Sequence, residues 1–179
     1  NNTYISDIAV KDGKIMTVGD LSKESASQII DITGYHLLPG VIATQVHFRE
    51  PGLEYKEDLN SGTKAAVLGG ITGVFEMPNT NPATTNEEAL REKLRLAEGR
   101  LFCDYAFYAG GTEDNYLELP KLEKIPGCCG VKVFMGLSVG SLLGKVHDVL
   151  IKFVSGINIR ASYHCEVKHV KEKRKELQE

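Results

Sequence analysis

No apolar run in these 179 residues approaches the roughly 18 residues that a membrane-spanning helix needs. The opening "NNTYISDIAV" lacks the basic and apolar regions of a secretory signal. Charge of one sign is also missing: 21 basic residues face 24 acidic ones, a formal net charge of −3. That balance gives no electrostatic reason to expect nucleic acid or an anionic membrane as partner. The charged tail "CEVKHVKEKRKELQE" reads as a solvated helix. Four cysteines, Cys103, Cys128, Cys129 and Cys165, show no C-x-x-C spacing, and the adjacent pair is poorly placed to bridge to itself. They read as reduced core fillers of a cytoplasmic protein. There is no G-x-G-x-x-G, which removes the reading as a doubly wound nucleotide binder. What remains is a soluble globular chain, 42% hydrophobic, of one domain or slightly more.

Two patterns divide the chain. Residues 1–39 are read as a small β segment. "YISDIAVKDGKIMTVGD" alternates apolar and polar residues around Asp12-Gly13, a hairpin signal, and "QIIDITGYHLLPG" predicts a further short strand. Residues 40–179 carry apolar, strand-like runs beginning near Val41, Ile71, Cys103, Gly130 and Ile159, at steps of 30, 32, 27 and 29 residues. Between them lie helical patterns. The clearest begins at the N-cap Asn86, is followed by Glu87 and Glu88, and repeats Leu90, Leu94, Ala97 and Leu101 on one stripe before Gly99-Arg100. A strand and a helix every 30 residues or so is the rhythm of βα units about a parallel sheet, doubly wound or barrel-shaped.

In such architectures chemistry gathers at the carboxyl ends of strands. His47 closes the first run, with Arg49 and Glu50 just beyond it. "MPNTNP" puts Asn79 and Asn81 after the second, Lys132 interrupts the fourth, and His164 closes the fifth. Taken singly these are ordinary: structural histidines, turn asparagines, a surface Arg–Glu pair, a lysine that snorkels from an edge. Taken together they crowd one end of the sheet. Lys132 is the hardest to dismiss, because an ammonium inside a parallel sheet carries a large desolvation cost. Carbamylation by CO₂ would turn that amine into a carboxylate-like ligand which, with two imidazoles, suits Zn²⁺.

The stretch "LLPGVIATQVHFREPGLEYKEDLNSGTKAAVLGGITGVFEMPNTNPATTN", followed by "GVKVFMGLSVGSLL" and "SYHCE" in that order, resembles the dihydroorotases of the amidohydrolase superfamily. A hydantoinase-like cyclic amidohydrolase is the nearest alternative to exclude. The resemblance implies an α/β fold, a (β/α)₈ barrel of TIM type joined to a small β-sandwich, of which these residues make about five βα units and an N-terminal sandwich segment. It implies one or two zinc ions held by His47, by carbamylated Lys132 and by His164, with Arg49 and Asn79 holding the substrate carboxylate. Guanidinium suits that task because it grips a carboxylate bidentately. The implied reaction is the opening of dihydroorotate to N-carbamoyl-aspartate in pyrimidine biosynthesis.

The sequence departs from the family in two ways. The family's D-x-H-x-H reads Ala43-Thr44-Gln45-Val46-His47, and strand alternation would place residues 43, 45 and 47 on one face. An amide and a methyl in place of an imidazole and an acid predict a weakened metal site. The second departure is length. A (β/α)₈ barrel takes about 250 residues, and the family's general-base aspartate has no counterpart in this chain. The sequence therefore reads as a truncated or degenerate dihydroorotase-type hydrolase, with no turnover expected of the 179 residues alone. The alternative is a non-catalytic homologue serving as scaffold or partner subunit. Unclosed strand edges predict pairing, as a homo-oligomer or with another amidohydrolase chain.

Overall fold

The computed structural model describes residues 3–135 and 157–165. The expected tail helix beyond Cys165, and most of "GVKVFMGLSVGSLL", lie outside the described residues. The chain divides into two compact units, Asn1–Leu38 and Pro39–Glu179.

The first unit contains one antiparallel ribbon, β1 (Asp7–Lys11) and β2 (Lys14–Gly19). Asp12 and Gly13 turn the chain with φ of 51° and 72°, the left-handed pair that a two-residue hairpin requires. The further strand expected within "QIIDITGYHLLPG" does not form: residues 20–40 contain no strand. Ile29 and Ile30 are 81% and 72% exposed. A strand gains its stability from cross-strand pairs and a buried face, and nothing among the described residues of this unit supplies either to these isoleucines.

The second unit alternates strands and helices. It runs β3 (Val41–Val46), α1 (Leu59–Leu68), β4 (Ile71–Glu76), α2 (Glu87–Ala97), β5 (Asp104–Gly111), α3 (Leu119–Leu122), β6 (Cys128–Phe134) and β7 (Ala161–His164). All five strands are parallel and lie in sequential order, β3-β4-β5-β6-β7. Among the described strands there is no reversal of order, and so no switch point of a doubly wound fold. One face packs against the helices. Val74, Phe107, Ala109, Val131 and Val133 meet Leu59, Leu90, Ala97, Leu119 and Leu122 in a single apolar cluster.

Local chemistry explains where the helices start. Asp58 caps α1 by accepting the Ser61 N–H at 2.7 Å, and Asn86 caps α2 by accepting the Ala89 N–H at 2.8 Å. Glu87 and Glu88 occupy the first turn of α2 and Arg95 its last, each complementing the helix dipole.

The last strand is held from below by Glu123. This buried carboxylate accepts the backbone N–H groups of Asn158 at 2.9 Å and Ile159 at 3.1 Å, and the Asn158 side-chain amide at 3.1 Å. Glu123→Ala should therefore lower the unfolding free energy by about 1–3 kcal/mol, with protection of the β7 amides lost first in hydrogen exchange. A variant with unchanged urea midpoint and unchanged β7 protection would show that Glu123 does not anchor this strand.

Candidate active site

The site begins with an irregularity in β3. Ala43 pairs with Val74 and Val46 with Glu76, so Thr44 and Gln45 together stand opposite the single residue Phe75. That is a β-bulge, which locally resets which face each side chain takes. Ala43 and Val46 both pack against the helix-covered core, while Gln45 is exposed. The expectation that residues 43, 45 and 47 share one face by simple alternation therefore fails, because the extra residue breaks the period of two.

Beyond the bulge, His47 is half-buried and its Nδ1 lies 2.9 Å from Asn79 Oδ1. An amide oxygen only accepts, so Nδ1 carries the proton and Nε2 keeps its lone pair. Burial holds the imidazole below its ordinary pKa. The Asn79 hydrogen bond opposes that shift, and the electrostatic influence of nearby Arg49, Lys132 and His164 adds to it. His47 is thus a neutral imidazole of fixed tautomer at neutral pH, within electrostatic reach of three other site groups. Asn79 is buried, 7% exposed. Its backbone carbonyl accepts from Arg49 Nη1 at 3.5 Å, and its amide NH₂ is the half able to donate to a carboxylate. Arg49 itself has φ of 66°, in the left-handed region that costs a side-chain-bearing residue conformational energy.

On the far strands, Lys132 pairs with Ser162 and Phe134 with His164. Alternation puts all four on the face opposite Val131 and Val133. Lys132 is 2% exposed. Its Nζ lies 3.4 Å from Ser162 Oγ and 5.2 Å from the centre of the Phe134 ring, and the His164 ring stacks on Phe134 at 5.7 Å. Among the described residues no carboxylate pairs with Lys132. Burial pushes its amine below the ordinary lysine range, with the Cys165 thiol acting in the other direction. Its partner across β5 is Gly110, which places no side chain beside it. No cluster of three His, Cys, Asp or Glu side chains suited to a metal occurs among the described residues.

Residues 34–108 match the family described as dihydro-orotase-like. The chain is 36% identical over 167 residues to a dihydroorotase of Methanothermobacter thermautotrophicus, spanning 91% of this chain and 36% of that protein. Residues 34–108 are thus a dihydro-orotase-like segment. It is also 37% identical over 137 residues to an allantoinase of Bacillus velezensis, covering 76% of this chain and 30% of that one. The L-hydantoinase (dihydropyrimidinase) of Arthrobacter aurescens superposes with a TM-score of 0.83 at 32% identity, over 97% of this chain and 40% of its own. The chain thus spans about a third of the length of the curated relatives it matches.

Two ion pairs in this chain, one half-exposed and one fully buried, were not anticipated from sequence. Glu50 does not pair with Arg49. Its carboxylate accepts Arg100 Nη1 at 2.7 Å and the Leu59 N–H, the first of α1, at 2.9 Å, so it ties the post-β3 turn to α1 and to the end of α2. The second pair is Glu76 with Lys93, both fully enclosed. The available signal was an acid closing the apolar strand "ITGVFEM", which burial allows only with a cation nearby.

Proposed function

We propose that this chain supplies the metal-holding front of a dihydroorotase-type (β/α)₈ barrel, in an enzyme that opens dihydroorotate to N-carbamoyl-aspartate in cytoplasmic pyrimidine biosynthesis. In this reading residues 1–39 are the N-terminal sandwich segment and residues 40–179 the first βα units. The observation that carries it is the His47 Nδ1–Asn79 Oδ1 hydrogen bond, which leaves Nε2 free to ligate in the manner of metal-bound histidines oriented by a carbonyl partner.

Each residue has a part. His47 and His164 offer imidazole nitrogens to zinc. Lys132, an enclosed amine held toward its neutral form, attacks the carbon of CO₂. The new N–C bond forms as one C=O electron pair moves onto oxygen, the nitrogen gives its proton to water, and the product is a carbamate able to bind one or two zinc ions. Zinc bound there supplies Lewis acidity toward an amide carbonyl and toward water. Arg49 forks the substrate carboxylate and the Asn79 amide NH₂ adds a donor to it. Partner chains would pair at the β3 and β7 edges.

Zinc titration tests the reading. The chain should bind one or two zinc ions, about 10–100-fold more weakly in Asn79→Ala, which loses the group orienting His47. Stripping CO₂ from the buffer should weaken zinc binding in the parent chain and have no effect in Lys132→Gln. Zinc binding indifferent to CO₂ in the parent would remove Lys132 from the ligand set.

A second reading has its own observation. Ala43 packs into the core and Gln45 is exposed on the bulge, so neither replaces the lost acid and imidazole. A non-catalytic homologue, acting as scaffold or partner subunit, would carry these changes without cost. Chain purified from metal-replete medium without zinc would favour it.

A further inference from the structure

Lys93 is among the largest fully buried side chains of the described residues, and it reaches from α2 to the helix-covered side of the sheet. Its ammonium has three protons and the structure accounts for each. One faces the Glu76 carboxylate, one donates to the Met77 carbonyl at 3.0 Å, and one to Thr84 Oγ1 at 3.4 Å. The Phe107 ring closes the remaining side at 5.2 Å. Met77 opens the loop that carries Asn79 between β4 and α2, and Thr84 lies toward its far end. Thr84 Oγ1 also meets Thr80 Oγ1 at 3.4 Å, the Thr84 N–H donates to the Pro78 carbonyl at 3.0 Å, and the Gly110 N–H donates to the Thr84 carbonyl at 2.7 Å.

We infer that the Glu76–Lys93 pair is a positioning device for the site: through Lys93 it grips the loop between β4 and α2 at Met77 and at Thr84, and so fixes Asn79 against His47. The inference rests on reading His47, Arg49 and Asn79 as site residues. A pair serving stability alone would be as well placed anywhere in the core. This one spends its remaining donors on two points of the loop that carries Asn79. Buried ionic groups that specify geometry at the expense of stability are known, and a first shell held by locked supporting groups is what a working site needs.

The test uses the full 179-residue chain and two readouts: the ¹⁵N signature of the His47 imidazole, assigned by its loss in His47→Gln, and zinc titration. In the parent, His47 should show a single tautomer with the proton on Nδ1. The double variant Glu76→Gln/Lys93→Met removes both charges together. It should fold, show His47 exchanging between tautomers, and bind zinc about 10-fold or more weakly. Thr84→Val cuts one grip of Lys93 on the loop while leaving the ion pair, and should move the tautomer signal in the same direction. Thr84→Ser, which keeps the hydroxyl, should restore it. If the double variant does not fold, the two Thr84 variants decide. Folded variants with the parent's single tautomer would overturn the inference, as would Thr84→Ser behaving like Thr84→Val. A parent chain that binds no zinc would overturn the proposed function instead, and the tautomer signal would still decide the clamp.

Discussion

Lys93→Met alone should cost the protein about 3–5 kcal/mol, because it leaves the Glu76 carboxylate enclosed without its cation. For a chain of this size that lowers the unfolding midpoint by roughly 6–20 °C. The double change Glu76→Gln/Lys93→Met should recover most or all of that loss, since neutral groups of similar volume avoid the desolvation of two charges. The deficit of the single variant should also depend on pH. Burial raises the Glu76 carboxyl from 4.5 to about 7 even with Lys93 holding it down. A carboxyl whose folded pKa exceeds its unfolded one contributes stability that is full below the unfolded value and is lost as pH rises through the folded value. Removing Lys93 takes away the opposing charge, so the folded value rises further and the loss extends above pH 7. The gap between parent and variant should be narrow near pH 5 and wide near pH 8, as measured by thermal melts in matched salt. A gap that widens toward acid would mean that Glu76 is ionised and well solvated, against its enclosure in the structure.

The contrast between Lys93 and Lys132 shows what the sequence could disclose. Lys132 stands inside an apolar strand, where a charge has no ordinary place, and its oddity is legible by itself. Lys93 stands on a helix among charged neighbours, "REKLR", where a lysine is expected to be solvated. Its burial becomes visible only when Glu76, on another element, is set beside it. The same holds for Glu50, whose partner Arg100 lies far along the chain and at the far end of α2. Pairings of this kind are settled by packing, which periodicity does not encode. The strand starts near Val41 and Ile71 and the cap at Asn86 rest on local signals, and the structure shows β3, β4 and α2 beginning there. The bulge at Thr44-Gln45 rests on none. Both registers satisfy the apolar pattern of "VIATQV", and only the pairing to β4 reveals the extra residue. In the first unit the isoleucines of "QIIDI" carry a strand's composition without a strand's partners, so local preference has nothing to propagate.

Arg49→Gly should separate what this residue contributes to binding from what it costs the fold. The arginine is held at φ 66°, where a side chain carries a penalty of about 1–2 kcal/mol. Glycine has no such penalty but loses about 0.5–1 kcal/mol through its greater freedom when unfolded. The unfolding free energy should therefore stay within about 1 kcal/mol of the parent or rise slightly, whereas Arg49→Ala keeps the strain and gains nothing. Binding should respond in the opposite sense. Losing hydrogen bonds from a charged fork to a carboxylate costs about 1.5–3 kcal/mol, roughly 10–150-fold in affinity. Dihydroorotate, which bears a carboxylate, should show that loss in both variants by calorimetric titration, and an uncharged ring such as hydantoin should bind parent and variants within about threefold. Arg49→Lys retains charge without the planar fork and should fall between. An equal loss for hydantoin and dihydroorotate would mean that Arg49 acts by bracing the Asn79 carbonyl, and the carboxylate would then need another cation. If dihydroorotate alone is lost while the fold is unharmed, the left-handed backbone at Arg49 is a strain retained for the direction in which it sends the guanidinium.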